Sequence, residues 1–147
     1  MKISVLISIY DRIDPSHFRR ALKSIWTDQA LKPDEVVVVE DGPLNPMLAS
    51  EIDTFRDATC ANVISVKLRE NSGLTCALNK GLTECSGDLI ARMDADDISA
   101  PDRFKLQHDF FVQNPDTDVL GGGLQEFDDD NDCRFIRYYP ENTEKAK

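Results

Sequence analysis

Leu89-Ile90-Ala91-Arg92-Met93-Asp94-Ala95-Asp96-Asp97 begins as an apolar strand and ends in three carboxylates within four residues. Carboxylates set this closely repel one another unless a cation or a proton lies between them. Two readings follow from the spacing alone. One is a metal-binding element, and the other is a solvated acidic loop that caps the next helix. What decides the fold is whether the neighbouring segments also deliver polar residues at the ends of buried strands.

Upstream, Leu74, Ala77, Leu78, Gly81, Leu82 and Cys85 recur at helical spacing, and Gly87 is placed to terminate that helix. Downstream, Pro101-Asp102-Arg103 opens a helix with Phe104, Gln107, Phe110 and Phe111 on one side, ending near Asn114-Pro115. Residues 63–68 form a strand that closes in Arg69-Glu70-Asn71-Ser72-Gly73. Residues 35–39 form another, which ends in Glu40-Asp41-Gly42-Pro43, and a helix follows with Met47, Leu48, Ile52 and Phe55 inward. The β-branched run Ile3–Ile9 reads as a strand buried on both faces, as in a parallel sheet, and ends in Tyr10-Asp11-Arg12. Pro15-Ser16 then opens a helix whose stripe is Phe18, Ala21, Leu22, Ile25 and Trp26.

This is β-α repeated four times, which predicts an α/β fold with a mostly parallel central sheet. In open sheets of this kind ligands bind outside the carboxyl ends of the strands. Tyr10-Asp11, Glu40-Asp41, Arg69 to Asn71 and Asp94-Ala95-Asp96 are therefore expected to converge on one crevice. That context favours the metal-binding reading of the acidic stretch.

The tail differs. Residues 119–127 and 133–139 read as two strands of a C-terminal β-hairpin joined by the acidic run 128–132. A calcium loop would need Gly at its sixth position and Glu at its twelfth, where Tyr139 stands, so the run reads as a solvated turn. Gly121-Gly122-Gly123 does not match a dinucleotide fingerprint and suggests a bulge or a close backbone approach.

Bulk composition narrows the function classes. The chain has 147 residues, which predicts one domain over 1–147. A net charge of -10 argues against nucleic acid or an anionic lipid surface as the main partner. Phosphate ligands stay open, provided a cation or helix N-termini neutralise them locally. Cys60, Cys76, Cys85 and Cys133 form no C-x-x-C pair, and His17 and His108 lie far apart, so free thiols in a reducing compartment are expected rather than a zinc site. With no signal peptide and no apolar stretch of membrane-spanning length, the expected location is cytoplasmic.

The order of these pieces resembles the nucleotide-binding portion of a family 2 inverting glycosyltransferase of the GT-A fold. The nearest likeness is to bacterial enzymes that build capsular or exopolysaccharide repeat units, the amylovoran-type group. The residues that carry it are Ser4-Val5-Leu6-Ile7-Ser8-Ile9-Tyr10, Val39-Glu40-Asp41-Gly42, Asn71-Ser72-Gly73-Leu74 with Ala77, Asn79 and Gly81, and above all Ile90 to Asp97 with Pro101-Asp102-Arg103.

The resemblance implies a Rossmann-like three-layer α/β/α domain. It also implies a nucleotide diphosphate sugar as donor, with uridine as the nucleoside, and a saccharide or lipid-linked acceptor. Ser8, Ile9 and Tyr10 would line the uracil pocket, and Asp41 would accept from the imide N–H of the base. Asn71 and the glycines of 71–81 would approach the nucleotide. Asp96 would ligate Mg²⁺ or Mn²⁺, Asp94 would hold the ribose or share the metal, and Asp97 would orient the loop or cap the following helix. Asp11 stands where many members of that family carry Asn. The general base of such an enzyme lies well downstream of the D-x-D element. The resemblance therefore implies a base beyond residue 147, an incomplete GT-A domain without its acceptor-binding half, and a full-length enzyme peripheral at the inner membrane face. The rival class is a non-catalytic nucleotide- or metal-binding module. A receiver domain would need a late-strand lysine, and a D-x-D phosphatase an Asp directly after the first strand. No such lysine stands out, and the first strand ends in Ser8-Ile9-Tyr10 with Asp11 beyond, which fits the phosphatase pattern poorly.

Overall fold

Four parallel strands, β1 (Ile3–Ile9), β2 (Glu35–Glu40), β3 (Val63–Lys67) and β4 (Leu89–Asp94), form one sheet in the order β3-β2-β1-β4. The computed structural model describes residues 1–127 and 133–138. The register sets Ile9 beside Glu40 and Ser8 beside Asp94, so β1, β2 and β4 end at the same level.

Alternation along the two central strands divides the core. Ile3, Val5, Ile7, Ile9, Val36 and Val38 face α1 (Pro15–Ile25), α2 (Pro46–Thr59) and Phe104 of α4 (Arg103–Gln113). Leu6, Val37 and Val39 face α3 (Leu74–Leu82), which packs through Ala77. A strand apolar on both faces needs a helix over each, and this layering supplies them. Helices α1 and α2 start alike. Asp14 and Asn45 are N-caps that accept from the backbone N–H groups of Ser16 and Leu48, and Pro15 and Pro46 follow at the first helical position.

Several sequence expectations change at the edges. β4 stands at one edge of the sheet, and its Ile90, read as part of an apolar strand, is 44% exposed. Met47, Leu74 and Leu82, placed inward by periodicity, are exposed. Glu51 is buried on α2 instead, where Arg19 of α1 donates to it at 2.9 Å. Helix α3 ends at Leu82, so Gly87 does not terminate it. The glycine is needed because its backbone passes Ser4, where a Cβ would sit 2.7 Å from the Ser4 nitrogen.

By contacts the chain divides into two compact units, with a boundary after Gln113, where the sequence reading took 1–147 as one domain. The second unit contains the expected antiparallel hairpin, β5 (Leu124–Phe127) and β6 (Cys133–Arg137), which forms a sheet of its own. Its register shifts between Glu126 and Phe127, while Gly121 and Gly122 lie in open space. The acidic run 128–132 lies outside the described residues.

Candidate functional site

At the carboxyl ends of the strands lies a cavity of about 340 Å³. β1 and the loop after it contribute Ser8, Tyr10 and Ile13, and Asp41 follows β2. Asn71, Gly73 and Leu74 come from the turn into α3, and Asp94, Ala95 and Asp96 from the end of β4.

Asp41 organises the floor. Its N–H donates to the Ile9 carbonyl at 2.8 Å, which turns the chain out of β2 toward the cavity. The carboxylate is buried, and its two oxygens accept from the N–H groups of Ser72 at 2.7 Å and Gly73 at 3.0 Å. Gly73 is the N-cap of α3 and offers no side chain for that role, so Asp41 draws the start of α3 to the strand end from another strand. The cavity thereby faces the positive end of that helix. Gly42 makes this approach possible. Its φ is +91°, and a Cβ there would lie 2.7 Å from the Asn71 nitrogen.

The acidic stretch occupies the opposite wall. Ala95 is buried, while Asp96 and Asp97 are exposed. The Asp97 N–H donates to the Asp94 carbonyl at 3.3 Å, closing a tight turn. The Arg92 guanidinium pairs with the Asp94 carboxylate. The Asp97 carboxyl is raised from its ordinary value, first by partial desolvation against the turn and then by the charges of Asp94 and Asp96. Arg103 braces the strand end from α4, donating to the Arg92 carbonyl at 2.9 Å and to Gln107 at 3.2 Å.

Of the residues expected to line the crevice, Ser8, Tyr10, Asp41, Asn71, Asp94 and Asp96 do so. Ile9 does not. It is 0% exposed, its side chain belongs to the core, and only its carbonyl serves the site, by holding Asp41. Period-two alternation dictates this, because Ser8 and Ile9 must point to opposite faces. Asp11 is engaged elsewhere, accepting from the Asn45 N–H at 2.6 Å beside the start of α2. Glu40, though next to Asp41, turns away to Ser65 and Lys67. Ile13 and Leu74 line the cavity without having been expected there; the position of Leu74 in the first turn of α3 was the one available signal.

Among the described residues no group of three or more histidine, cysteine or acidic side chains is arranged to hold a metal. A cation bound in this cavity would meet two carboxylates from the protein, those of Asp94 and Asp96. That donor set suits a hard ion completed by phosphate and water oxygens, as Mg²⁺ commonly is, and not a closed structural site.

A parallel α/β sheet whose strand ends gather polar residues around one crevice defines the class, and that architecture is shared with GT-A glycosyltransferases. The crystal structure of S. aureus TarS 1-349 in complex with UDP-GlcNAc superposes with a TM-score of 0.68 at 24% identity, over 78% of this chain and 32% of that one. The family model "Glycosyl transferase family 2" matches residues 4–146, and the chain belongs to that family. It is 39% identical over 127 residues to UDP-Gal:alpha-D-GlcNAc-diphosphoundecaprenol beta-1,3-galactosyltransferase of Escherichia coli, covering 86% of this chain and 45% of that protein. It is 37% identical over 134 residues to the amylovoran biosynthesis glycosyltransferase AmsE of Erwinia amylovora, covering 91% of this chain and 49% of that protein. The chain spans about half the length of the curated relatives it matches.

Proposed function

We propose that this chain is the donor-binding part of an inverting glycosyltransferase. The enzyme would move a sugar from a UDP-sugar to a saccharide or lipid-linked acceptor in bacterial surface polysaccharide synthesis, on the cytoplasmic side of the membrane. The observation that carries the reading is the gathering of Ser8, Tyr10, Asp41, Asn71, Asp94 and Asp96, from four separate strand ends, on one cavity of a family 2 chain. The relative that is 39% identical, whose name specifies UDP-Gal and a diphosphoundecaprenol acceptor, supports the choice of donor and acceptor class.

Ser8 and Tyr10 line the base side. Each Asp41 oxygen accepts one backbone N–H and keeps a lone pair, so the carboxylate can also accept from the imide N–H of uracil. Asn71 and the α3 N-terminus offer N–H groups toward the diphosphate. Asp94 would hold the ribose or share Mg²⁺ or Mn²⁺ with Asp96. Bound there, the cation would offset the negative charge that develops on the departing diphosphate. In the transfer itself the acceptor oxygen bonds to the anomeric carbon as the carbon–phosphate-oxygen bond breaks. The acceptor proton passes to a general base, a role we assign to no residue of this chain.

Calorimetric titration of UDP in Mn²⁺ and in EDTA tests the reading. We expect Mn²⁺-dependent UDP binding that Asp96→Ala abolishes. Tighter binding of GDP than UDP would overturn the uridine assignment. Binding of phosphoryl mimics with no response to any nucleotide would overturn the glycosyltransferase reading itself.

A further inference from the structure

The turn that carries Asp96 is held at both ends, and the second anchor is not part of the cavity. At its start, Asp94 is registered against Ser8 in the parallel ladder. At its end, the chain from Ser99 to Phe104 is stitched to the segment just after α1. Gln29, 4% exposed, is the centre of that stitch. Its side-chain nitrogen donates to the Ser24 carbonyl at 2.7 Å and the Ala100 carbonyl at 2.8 Å, and lies 3.2 Å from the Ser99 hydroxyl. Its oxygen accepts from the Phe104 N–H at 3.3 Å. Two further bonds run in parallel, from the Ser99 N–H to the Ser24 hydroxyl at 3.0 Å and from the Ala30 N–H to the Pro101 carbonyl at 2.9 Å. One amide thus joins a last-turn carbonyl of α1 to both sides of the α4 start, about seventy residues away in sequence.

We propose that Gln29 is a positioning residue for the acidic turn, setting where Asp96 stands relative to Asp94 and hence the affinity of the site for a divalent cation with its nucleotide. The inference rests on the function proposed above. Between the ladder at Asp94 and the anchor at Ser99 only four residues intervene, so a displacement of Ser99 cannot be absorbed without moving Asp96. Removing the amide takes the Gln29 partner from the Ser24 carbonyl and the Phe104 N–H and one of two donors from the Ala100 carbonyl, which keeps the Arg103 N–H, and the segment must shift toward water to satisfy them.

The experiment compares UDP affinity in Mn²⁺ and in EDTA for the wild-type chain, Gln29→Leu, Ser24→Ala and Ile52→Ala, all well below their melting temperatures. Ile52 lies in the core on α2 and serves as a destabilised control. Gln29→Leu should lower the Mn²⁺-dependent affinity about tenfold or more, the size of effect seen when support that orients a metal ligand is lost, while metal-free affinity stays within about twofold. Ser24→Ala removes one bond of the same anchor and should move the same ratio in the same direction, including if Gln29→Leu does not fold. Ile52→Ala should leave the ratio unchanged. An unchanged ratio in Gln29→Leu, or in Ser24→Ala if Gln29→Leu does not fold, overturns the proposal. So does a loss that Ile52→Ala shares. Absence of any Mn²⁺ effect in the wild type overturns the proposed function instead.

Discussion

Asp41 holds two backbone N–H groups and also borders the cavity, so its replacement has separable consequences. Asp41→Ala leaves the N–H groups of Ser72 and Gly73 without their partner and should cost about 1–3 kcal/mol in a urea titration. Asp41→Asn should cost a similar amount. Its amide nitrogen must point a donor at one of two donors that the carboxylate accepts together. The same exercise separates neighbours in sequence. Ser8 and Ile9 were expected to act alike, yet one lines the cavity and the other is sealed in the core. Glu40 and Asp41 divide in the same way, since Glu40 faces Ser65 and Lys67. Adjacent strand residues cannot share a face, so polarity alone does not identify which acid serves a strand-end site.

At the scale of elements, α3 covers its face of the sheet thinly. It contacts the sheet through Ala77 and Gly81, with Leu74 and Leu82 exposed. A Cβ at Gly81 would stand 2.4 Å from a Leu6 methyl and 2.6 Å from a Val39 methyl. Gly81→Ala should therefore force the helix outward despite the better helix propensity of alanine, lowering stability by about 1–3 kcal/mol through overpacking. Thermal unfolding monitored by circular dichroism reads this directly. Helix α3 also starts at the cavity, so its seating on β1 and β2 sets the height of Gly73 there. Periodicity found this helix but overstated its buried stripe. A short helix lying alone over a sheet buries only the residues nearest the strands, and periodicity cannot tell those from the flanks.

At the scale of the whole molecule, Glu35 ties three segments together at the end of the sheet away from the cavity. It accepts from the Ser4 hydroxyl at 2.6 Å, the Ser86 N–H at 2.6 Å and the Ser86 hydroxyl at 2.9 Å. Burial by itself would raise its pKa, but these hydrogen bonds outweigh it and hold the carboxyl below its ordinary value. A carboxylate depressed in the folded state stabilises above its unfolded pKa, and that contribution is lost as pH falls through the folded value. Glu35→Gln should thus be less stable than wild type by about 1–3 kcal/mol near pH 7. The gap should narrow below the ordinary carboxylate range, as urea midpoints across a pH series would record. A gap independent of pH would show that shape rather than charge is responsible. No helix among the described residues is long and apolar enough to cross a membrane.

What the sequence determined by itself was the alternation of strands and helices, and with it the parallel sheet and the end at which polar residues collect. The cause is local. β-branched runs, Asx-Pro helix starts and acidic strand ends are each written within a few residues, and the rule that ligands bind at carboxyl ends turns them into a site. Tertiary structure alone decided that β4 is an edge strand, that Asp41 caps a helix thirty-two residues away, that Arg92 pairs with Asp94, and that Gln29 anchors the turn behind Asp96. Each of these is a contact between segments that local pattern does not relate. Strand order and the direction of a side chain's hydrogen bonds are properties of the assembled layers. The acidic stretch could therefore be located from sequence, but not the partners that hold it in place.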